Sequence, residues 1–375
     1  MKIPRYYDNL EDYLESNKAL LIFGPRQIGK TTLINDFLKT TKLKFRFDTG
    51  ENNRVQEIFN SQDFEEIKEY AEGFELIAID EAQKIKNIGT GLKIIIDQIP
   101  GIKVIATGSS SFELLGQVGE PLTGRKRTIT LFPVAQLELK KLYNNFELKE
   151  KLSDFLIYGG YPSVLTQETK NKKREILKEI TESYLLKDIL EFERIKGSRY
   201  IFNLLKLLAF QIGNQVSLSE LAQNLEIDAK TVRRYLNLLE QSFIIFSLQG
   251  YSRNLRNEIT SKGKYYFYDI GIRNAIISNF NELPLRNDIG SLWENFMFIE
   301  RHKKREYEEI YANEYFWRTW EKQEIDLVEE REGKLFGYEF KLNKDKVKTP
   351  SMWIEKYPEA SFSVISKKNY LDFIA

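Results

Sequence analysis

Several stretches of this sequence carry residue types at spacings that can do chemistry. In Leu21-Ile-Phe-Gly24-Pro-Arg-Gln-Ile-Gly29-Lys30-Thr31-Thr32, a G-x-x-x-x-G-K-T pattern follows an apolar run and precedes the helical run Leu33–Leu38. Glycines let such a loop wrap an anion, so that backbone N–H groups and a helix N-terminus point at phosphate oxygens. Gly24, Pro25, Arg26, Gln27, Ile28, Gly29, Lys30, Thr31 and Thr32 are therefore expected to hold ATP, with Lys30 on the β- and γ-phosphates and the Thr31 hydroxyl on Mg2+. The run Leu76-Ile-Ala-Ile79-Asp80-Glu81 predicts a buried strand ending in two adjacent carboxylates. Like charges side by side at a strand edge need a reason. Asp80 as the Mg2+ carboxylate and Glu81 as the base that polarises the attacking water supply one.

Lys103-Val-Ile-Ala-Thr107-Gly-Ser109-Ser110-Ser111 predicts a third strand, ending in hydroxyls at the same sheet edge. Ser109 there senses the γ-phosphate or orients water, unless the serines simply cap a helix starting at Phe112-Glu-Leu-Leu. Arg125 reads as an arginine finger, acting in its own chain or on a neighbouring subunit, or else as an exposed basic residue. Glu81, Lys30, Arg125 and Ser109 make up the expected catalytic set.

Two further patterns lie downstream. In Leu218-Ser219-Glu-Leu-Ala-Gln-Asn-Leu-Glu-Ile-Asp228-Ala-Lys230-Thr231-Val-Arg233-Arg234-Tyr-Leu, apolar residues recur at helical spacing on both sides of a turn. Ser219 and Asp228 are the expected caps, and Leu221, Leu225, Val232, Leu236 and Leu239 face inward. Lys230, Arg233 and Arg234 then lie near the start of the second helix, where a DNA reader presents its side chains; Arg253, Arg256, Lys262 and Lys264 in the following wing are placed to meet phosphates. The same module can serve as a lid or a protein contact.

Further on, Glu324-Ile-Asp326-Leu-Val is followed by Gly337-Tyr-Glu339-Phe-Lys341. Residues i and i+2 of a strand share a face, so Glu339 and Lys341 converge, and hairpin pairing brings Asp326 beside them. With Glu294 from the preceding Trp-Glu-Asn-Phe helix, Asp326 and Glu339 are expected to hold a second Mg2+ while Lys341 steadies water or phosphate, chemistry suited to phosphodiester hydrolysis. A salt-bridged hairpin without catalytic function satisfies the same pattern.

The elements that must position these residues fall into segments. The chain has 375 residues, more than one compact core would normally hold. Up to about residue 135, short β-rich runs (Ala19–Phe23, Lys44–Phe47, Leu76–Ile79, Lys103–Ala106, Thr128–Leu131) alternate with amphipathic helical ones, the pattern of an α/β domain with a mainly parallel sheet. Residues 136–199 read as a helical lid or connector, broken at Gly159-Gly-Tyr-Pro162. Residues 200–282, with β-rich runs at Phe243–Leu248 and Lys264–Tyr268, read as a winged helix-turn-helix. Residues 283–375 read as a third α/β domain, with a helix around Leu292–Lys304 and strands at Tyr315–Trp320, Glu324–Val328 and Leu335–Lys341.

Composition narrows the chemistry. There is no cysteine and one histidine, His302, so thiolate nucleophiles, sulfur-bound zinc and two-histidine metal sites are excluded. His302 stands in Glu300-Arg-His-Lys-Lys-Arg and reads as a solvated surface residue. Lys and Arg exceed Asp and Glu by one, so a polyanion must be met by a local basic patch. No run approaches the about 18 apolar residues of a membrane span and the first residues carry no apolar signal, which makes a cytoplasmic location the expectation.

Across Gly24-Pro-Arg-Gln, Asp80-Glu-Ala-Gln83, Thr107-Gly-Ser-Ser, Gly124-Arg125, Gly159-Gly-Tyr-Pro and Trp317-Arg-Thr-Trp with Glu324-Ile-Asp, the chain resembles the prokaryotic AAA-type ATPases that join such a P-loop to a C-terminal domain of unknown function. The resemblance implies a catalytic glutamate beside the Walker-B aspartate, the position Glu81 holds. The C-terminal acid and lysine positions resemble those of the PD-(D/E)xK restriction-endonuclease-like fold, with Ile325 where that motif has proline. Together these imply an ATP- and Mg2+-dependent hydrolase whose nucleotide state controls a nucleic-acid module, DNA rather than RNA. The alternative is a nucleotide-gated switch or scaffold that binds a protein partner and carries an inert C-terminal domain.

Overall fold

The computed structural model describes residues 2–109, 121–185, 198–252 and 262–375. Ser110, Ser111, Phe112, Arg253 and Arg256 lie outside them. The chain divides into two compact units. One is Arg5–Phe132 with Gln241–Phe243; the other is Met1–Pro4, Pro133–Glu240 and Ile244–Ala375.

The first unit is built on five parallel strands, β1 (Lys18–Phe23), β2 (Phe45–Thr49), β3 (Leu76–Asp80), β4 (Lys103–Gly108) and β5 (Lys126–Thr130), in the order β2-β3-β4-β1-β5. Strand β3 is buried along its whole length, and so is β4 apart from its first residue, as the unbroken apolar runs require for strands covered on both faces. Helices α1 (Lys30–Leu38), α2 (Asn53–Ser61), α3 (Phe64–Ala71) and α4 (Ile88–Gln98) complete the unit, and Val55, Phe59, Ile67, Tyr70, Leu92 and Ile95 join the strand residues in one core. Because the strands are parallel, their C-terminal ends share one edge. Gly24, Asp80 and Ser109 all follow or end strands there.

The second unit carries a seven-stranded sheet, formed by β6 (Gln215–Val216), β7 (Ile245–Gly250), β8 (Gly263–Phe267), β9 (Asn313–Arg318), β10 (Glu324–Arg331), β11 (Lys334–Phe340) and β12 (Ser361–Ile365), in the order β12-β11-β10-β9-β7-β8-β6. Helices α5 (Ser198–Phe210), α6 (Leu218–Leu225) and α7 (Ala229–Gln241) accompany β6, β7 and β8. Helix α8 (Ile289–Tyr307) precedes the antiparallel meander β9-β10-β11, and α9 (Ser351–Lys356) crosses over to β12, which runs parallel to β11. Gln249 and Gly250 of β7 pair with Tyr315 and Phe316 of β9, which joins strands from before and after residue 283 in one sheet.

Two local features explain sequence signals. The helix Leu152–Tyr158 stops at Gly159 because the Asp269 carboxylate sits against the backbone there: Gly160 N donates to Asp269 Oδ2 at 2.7 Å, and a Cβ on Gly159 (φ +72°) would lie 2.2 Å from Asp269 Oδ1. The charge run on α8 is buried rather than solvated. Arg301 donates to both oxygens of Glu329 at 2.8 and 3.0 Å, Arg305 pairs with Glu314, and Lys303 pairs with Glu300 at 2.6 Å. His302 is only 8% exposed; its Nδ1 lies 3.0 Å from Glu314 Oε2 and its ring packs on Phe246 and Phe298. Its expected surface position is therefore corrected: Glu314 on β9 pairs with His302 and Arg305 and Glu329 on β10 with Arg301, pairings invisible to helical periodicity.

Candidate active site

The phosphate loop leaves β1 at Gly24 and enters α1 at Lys30. Gly24 has φ +145°, and a Cβ there would stand 2.0 Å from Leu131 O, so only glycine lets the loop pass this close to the chain after β5. Gln27 and Gly29 also have positive φ, which turns the loop back on itself before the helix N-terminus. Lys30 is 5% exposed and its ammonium donates to Gly24 O at 2.8 Å and Pro25 O at 2.9 Å, over the loop. Thr31 and Thr32 open α1 on its exposed side.

From the loop the site extends across the sheet edge. The Thr31 hydroxyl donates to Asp80 Oδ2 at 2.7 Å, and the Thr107 hydroxyl donates to Asp80 Oδ1. Thr107 Oγ1 also accepts from Glu81 N at 3.1 Å, so one buried hydroxyl fixes the carboxylate of one acid and the backbone of the next. Glu81 has φ +50°, which turns its side chain out of the strand direction. Gln83 Nε2 donates to Glu81 Oε2 at 2.6 Å and to Ser109 Oγ at 3.2 Å. Lys30, Thr31, Asp80, Glu81 and Ser109 are thus brought to one edge. A hydroxyl and a carboxylate in contact beside glycine turns and a buried lysine fit Mg2+ with a nucleotide, since both donors are hard oxygens.

Arg125 is not at this edge. Ala19 N donates to Arg125 O at 2.8 Å, and the register runs from Ala19 opposite Lys126 to Phe23 opposite Thr130. Arg125 therefore stands where β1 begins, about 20 Å of strand from Gly24 at ~3.3 Å per residue. Its Nε donates to Asp97 Oδ1 at 2.6 Å. Of the alternatives for Arg125, this geometry speaks against action on its own phosphate loop and leaves a neighbouring subunit or an exposed basic residue.

Three site residues escaped the sequence reading. Arg5, 6% exposed, donates from Nη1 to Ile28 O at 2.5 Å and from Nη2 to Phe132 O at 2.6 Å, tying the phosphate loop to the chain beyond β5. No local pattern announces it. Thr107 and Gln83 stood inside quoted motifs, but their roles depend on β3 and β4 lying side by side.

In the second unit, α6 and α7 stand as the apolar spacing requires, with Leu221, Leu225, Val232, Leu236 and Leu239 buried. Asp228 caps α7 by accepting from Thr231 N at 2.9 Å; the cap position of α6 is Ser217, not Ser219. Lys230, Arg233 and Arg234 are exposed. Lys262 is exposed too, whereas Lys264, expected to meet phosphates, is 1% exposed.

Lys264 reaches the acid cluster instead. Its ammonium lies 2.9 Å from Glu294 Oε1 and 2.5 Å from Glu324 Oε1, and Tyr266 donates to Glu294 Oε1 at 2.6 Å. Asp326 and Glu339 share Lys341, at 3.9 and 2.6 Å, and Phe340 N donates to Asp326 Oδ2 at 2.8 Å. The predicted convergence of Asp326, Glu339 and Lys341 is present. Burial, then the Glu294 and Glu339 carboxylates, push the Asp326 carboxyl well above the usual range against the pull of Lys264 and Lys341. Burial also raises Glu339. Burial opposes protonation of Lys264, yet Glu294, Glu324 and Asp326 hold its pKa above the ordinary lysine value.

The three-carboxylate Mg2+ shell expected of Glu294, Asp326 and Glu339 is not formed. Among the described residues no group of three or more acid or histidine side chains is placed to hold a metal ion. Lys264 draws Glu294 Oε1 to itself, and Lys341 lies on Glu339 Oε1, so these two oxygens are turned to ammonium groups.

Residues 16–140 match the model of an AAA domain, residues 149–283 a domain of unknown function, DUF8612, and residues 289–368 a second one, DUF4143. The uncharacterised protein Rv2008c of Mycobacterium tuberculosis is 25% identical over 338 residues, covering 89% of this chain and 71% of its own. The uncharacterised protein MJ1544 of Methanocaldococcus jannaschii is 25% identical over 317 residues, covering 79% and 69%. Among solved structures, the Walker-type ATPase PABY2304 of Pyrococcus abyssi is similar at a TM-score of 0.49 and 16% identity, covering 72% of this chain and 94% of that one. The chain carries an AAA-type P-loop ATPase domain, and two uncharacterised domains follow. No described helix is long and apolar enough to cross a membrane.

Proposed function

We propose that this chain binds ATP with Mg2+ and hydrolyses it. The observation that carries the reading is Asp80, whose two carboxylate oxygens accept from Thr31 on the phosphate loop and from Thr107 on β4. This fixes the metal carboxylate, the loop and the Glu81 backbone as one unit. The loop N–H groups and Lys30 bind the β- and γ-phosphates. Thr31 and Asp80 would hold Mg2+, which would supply positive charge against the charge developing on the phosphates. Glu81, oriented by Gln83, accepts a proton from the attacking water, and Ser109 lies beside the same amide. Lys30→Ala should abolish ATP binding in a titration followed by calorimetry, and parent-like affinity would contradict the loop assignment.

For the second unit, the order α5-β6-α6-α7-β7-β8, with exposed Lys230, Arg233 and Arg234 on α7, supports a winged-helix reading and a DNA contact. The order α8-β9-β10-β11-α9-β12, with an acid on β10 and E-x-K at the end of β11, supports the nuclease-like resemblance at the level of pattern. Lys264 among the acids favours the other reading, a nucleotide-gated switch whose C-terminal domain cuts nothing as it stands. A Mg2+ or Mn2+ cleavage assay on single- and double-stranded DNA separates the two: the switch predicts intact substrate.

A further inference from the structure

The acid cluster of the second unit contains its own cation, and that cation comes from outside the acids' segment. Side chains on β8 alternate in facing, so Lys264 and Tyr266 share a face, and both end on Glu294 Oε1 of α8. The same ammonium bonds Glu324 on β10 and lies 5.4 Å from the centroid of the Phe316 ring on β9. Its side chain is 1% exposed. The strand that carries it is held in place. Asn295 of α8 accepts from Phe267 N and donates to Phe267 O, both at 2.8 Å, and β8 lies between β7 and β6 in the sheet.

We infer that Lys264 is the resident cation of this cluster, holding Glu294 and Glu324 where a divalent ion would otherwise draw them, so that the cluster takes up no divalent metal while β8 is in place. A lysine ammonium is a compact charge with three donors, and here it satisfies two carboxylates at hydrogen-bond distance. Mg2+ demands oxygens at about 2.0–2.1 Å in near-octahedral array, closer than the N···O spacings of an ammonium allow. The two cations therefore compete for Glu294, which the cluster needs as a ligand. Arg318, 3.5 Å from Glu324 Oε2, and Lys341 on Glu339 add two further cations to the four acids. The inference concerns the second unit alone and does not depend on ATP hydrolysis.

The test is Mn2+ binding by the full-length, nucleotide-free chain, followed by loss of the free-ion electron paramagnetic resonance signal. The parent and Asp326→Asn should give the same isotherm, because the parent cluster binds no Mn2+. Lys264→Met should bind a further equivalent, lost again in Lys264→Met/Glu294→Gln, and Mn2+ should raise the melting temperature of Lys264→Met but not of the parent by the same amount. A parent site lost in Asp326→Asn would overturn the inference, as would a folded Lys264→Met that binds no more than the parent. If Lys264→Met does not fold, the parent and Asp326→Asn comparison still decides: equal isotherms support the inference and unequal ones overturn it.

Discussion

Replacing Arg5 by methionine keeps the length of the side chain and removes both of its bonds to backbone carbonyls. These bonds, 2.5 Å to Ile28 O and 2.6 Å to Phe132 O, are made by a guanidinium that is only 6% exposed. Hydrogen bonds to a charged group contribute about 1.5–3 kcal/mol each, and the lower figure suits a substitution that also relieves the burial of a charge. The loss is then about 3 kcal/mol. For a unit of this size each kcal/mol moves the melting temperature by about 4 °C, so Arg5→Met should melt about 12 °C below the parent in a calorimetric scan. Arg5→Lys, which can reach one carbonyl at a time, should fall between. Because Ile28 lies in the phosphate loop, ATP affinity should fall with stability. An Arg5→Met protein melting within about 2 °C of the parent would refute the claim that Arg5 holds the loop.

Thr107→Val removes the hydroxyl shared by Asp80 and Glu81, and steady-state kinetics should show kcat reduced with KM little changed, since the phosphate loop is untouched. Asp326 has a folded-state pKa above its unfolded value, so its contribution is present below the ordinary carboxylate range and is lost as pH rises through the folded value. Asp326→Asn has no proton to lose, and its urea-unfolding stability relative to the parent should therefore increase from about pH 4 towards pH 8; a constant difference would exclude the raised carboxyl. If α7 contacts DNA, Arg233→Ala/Arg234→Ala should weaken binding and lower the log–log salt slope by about 1.8, and an unchanged slope would assign that face to another role.

What was legible in the sequence is what sequence neighbours decide. The Gly24–Thr32 loop, the strand ending in Asp80 and Glu81, and the paired helices with buried Leu221, Val232 and Leu236 follow from local pattern and lie where the pattern puts them. Predicted strand bounds miss by a residue or two, as Thr128–Leu131 against Lys126–Thr130 shows. Arg125 looked catalytic because Gly124-Arg125 resembles a motif, but the strand register sets which sheet edge it occupies. His302 looked solvated because charge runs usually are, and Lys264 looked placed to meet phosphates because it stands in the wing after the paired helices. Their partners, Glu314 in one case and Glu294 and Glu324 in the other, reach them only through tertiary pairing. Arg5 is the extreme case, since its two acceptors are backbone carbonyls that no side-chain pattern encodes.

Single-turnover hydrolysis by Glu81→Gln tests the central claim most directly. The substitution keeps the size of the side chain and its contact with Gln83 but removes the carboxylate that accepts the water proton. With radiolabelled ATP and Mg2+ mixed with excess enzyme, the parent should convert bound ATP to ADP and phosphate. Glu81→Gln should bind ATP as tightly as the parent and retain it unhydrolysed. Phosphate release from Glu81→Gln at the parent rate would contradict the assignment of Glu81 and the hydrolytic reading of the site.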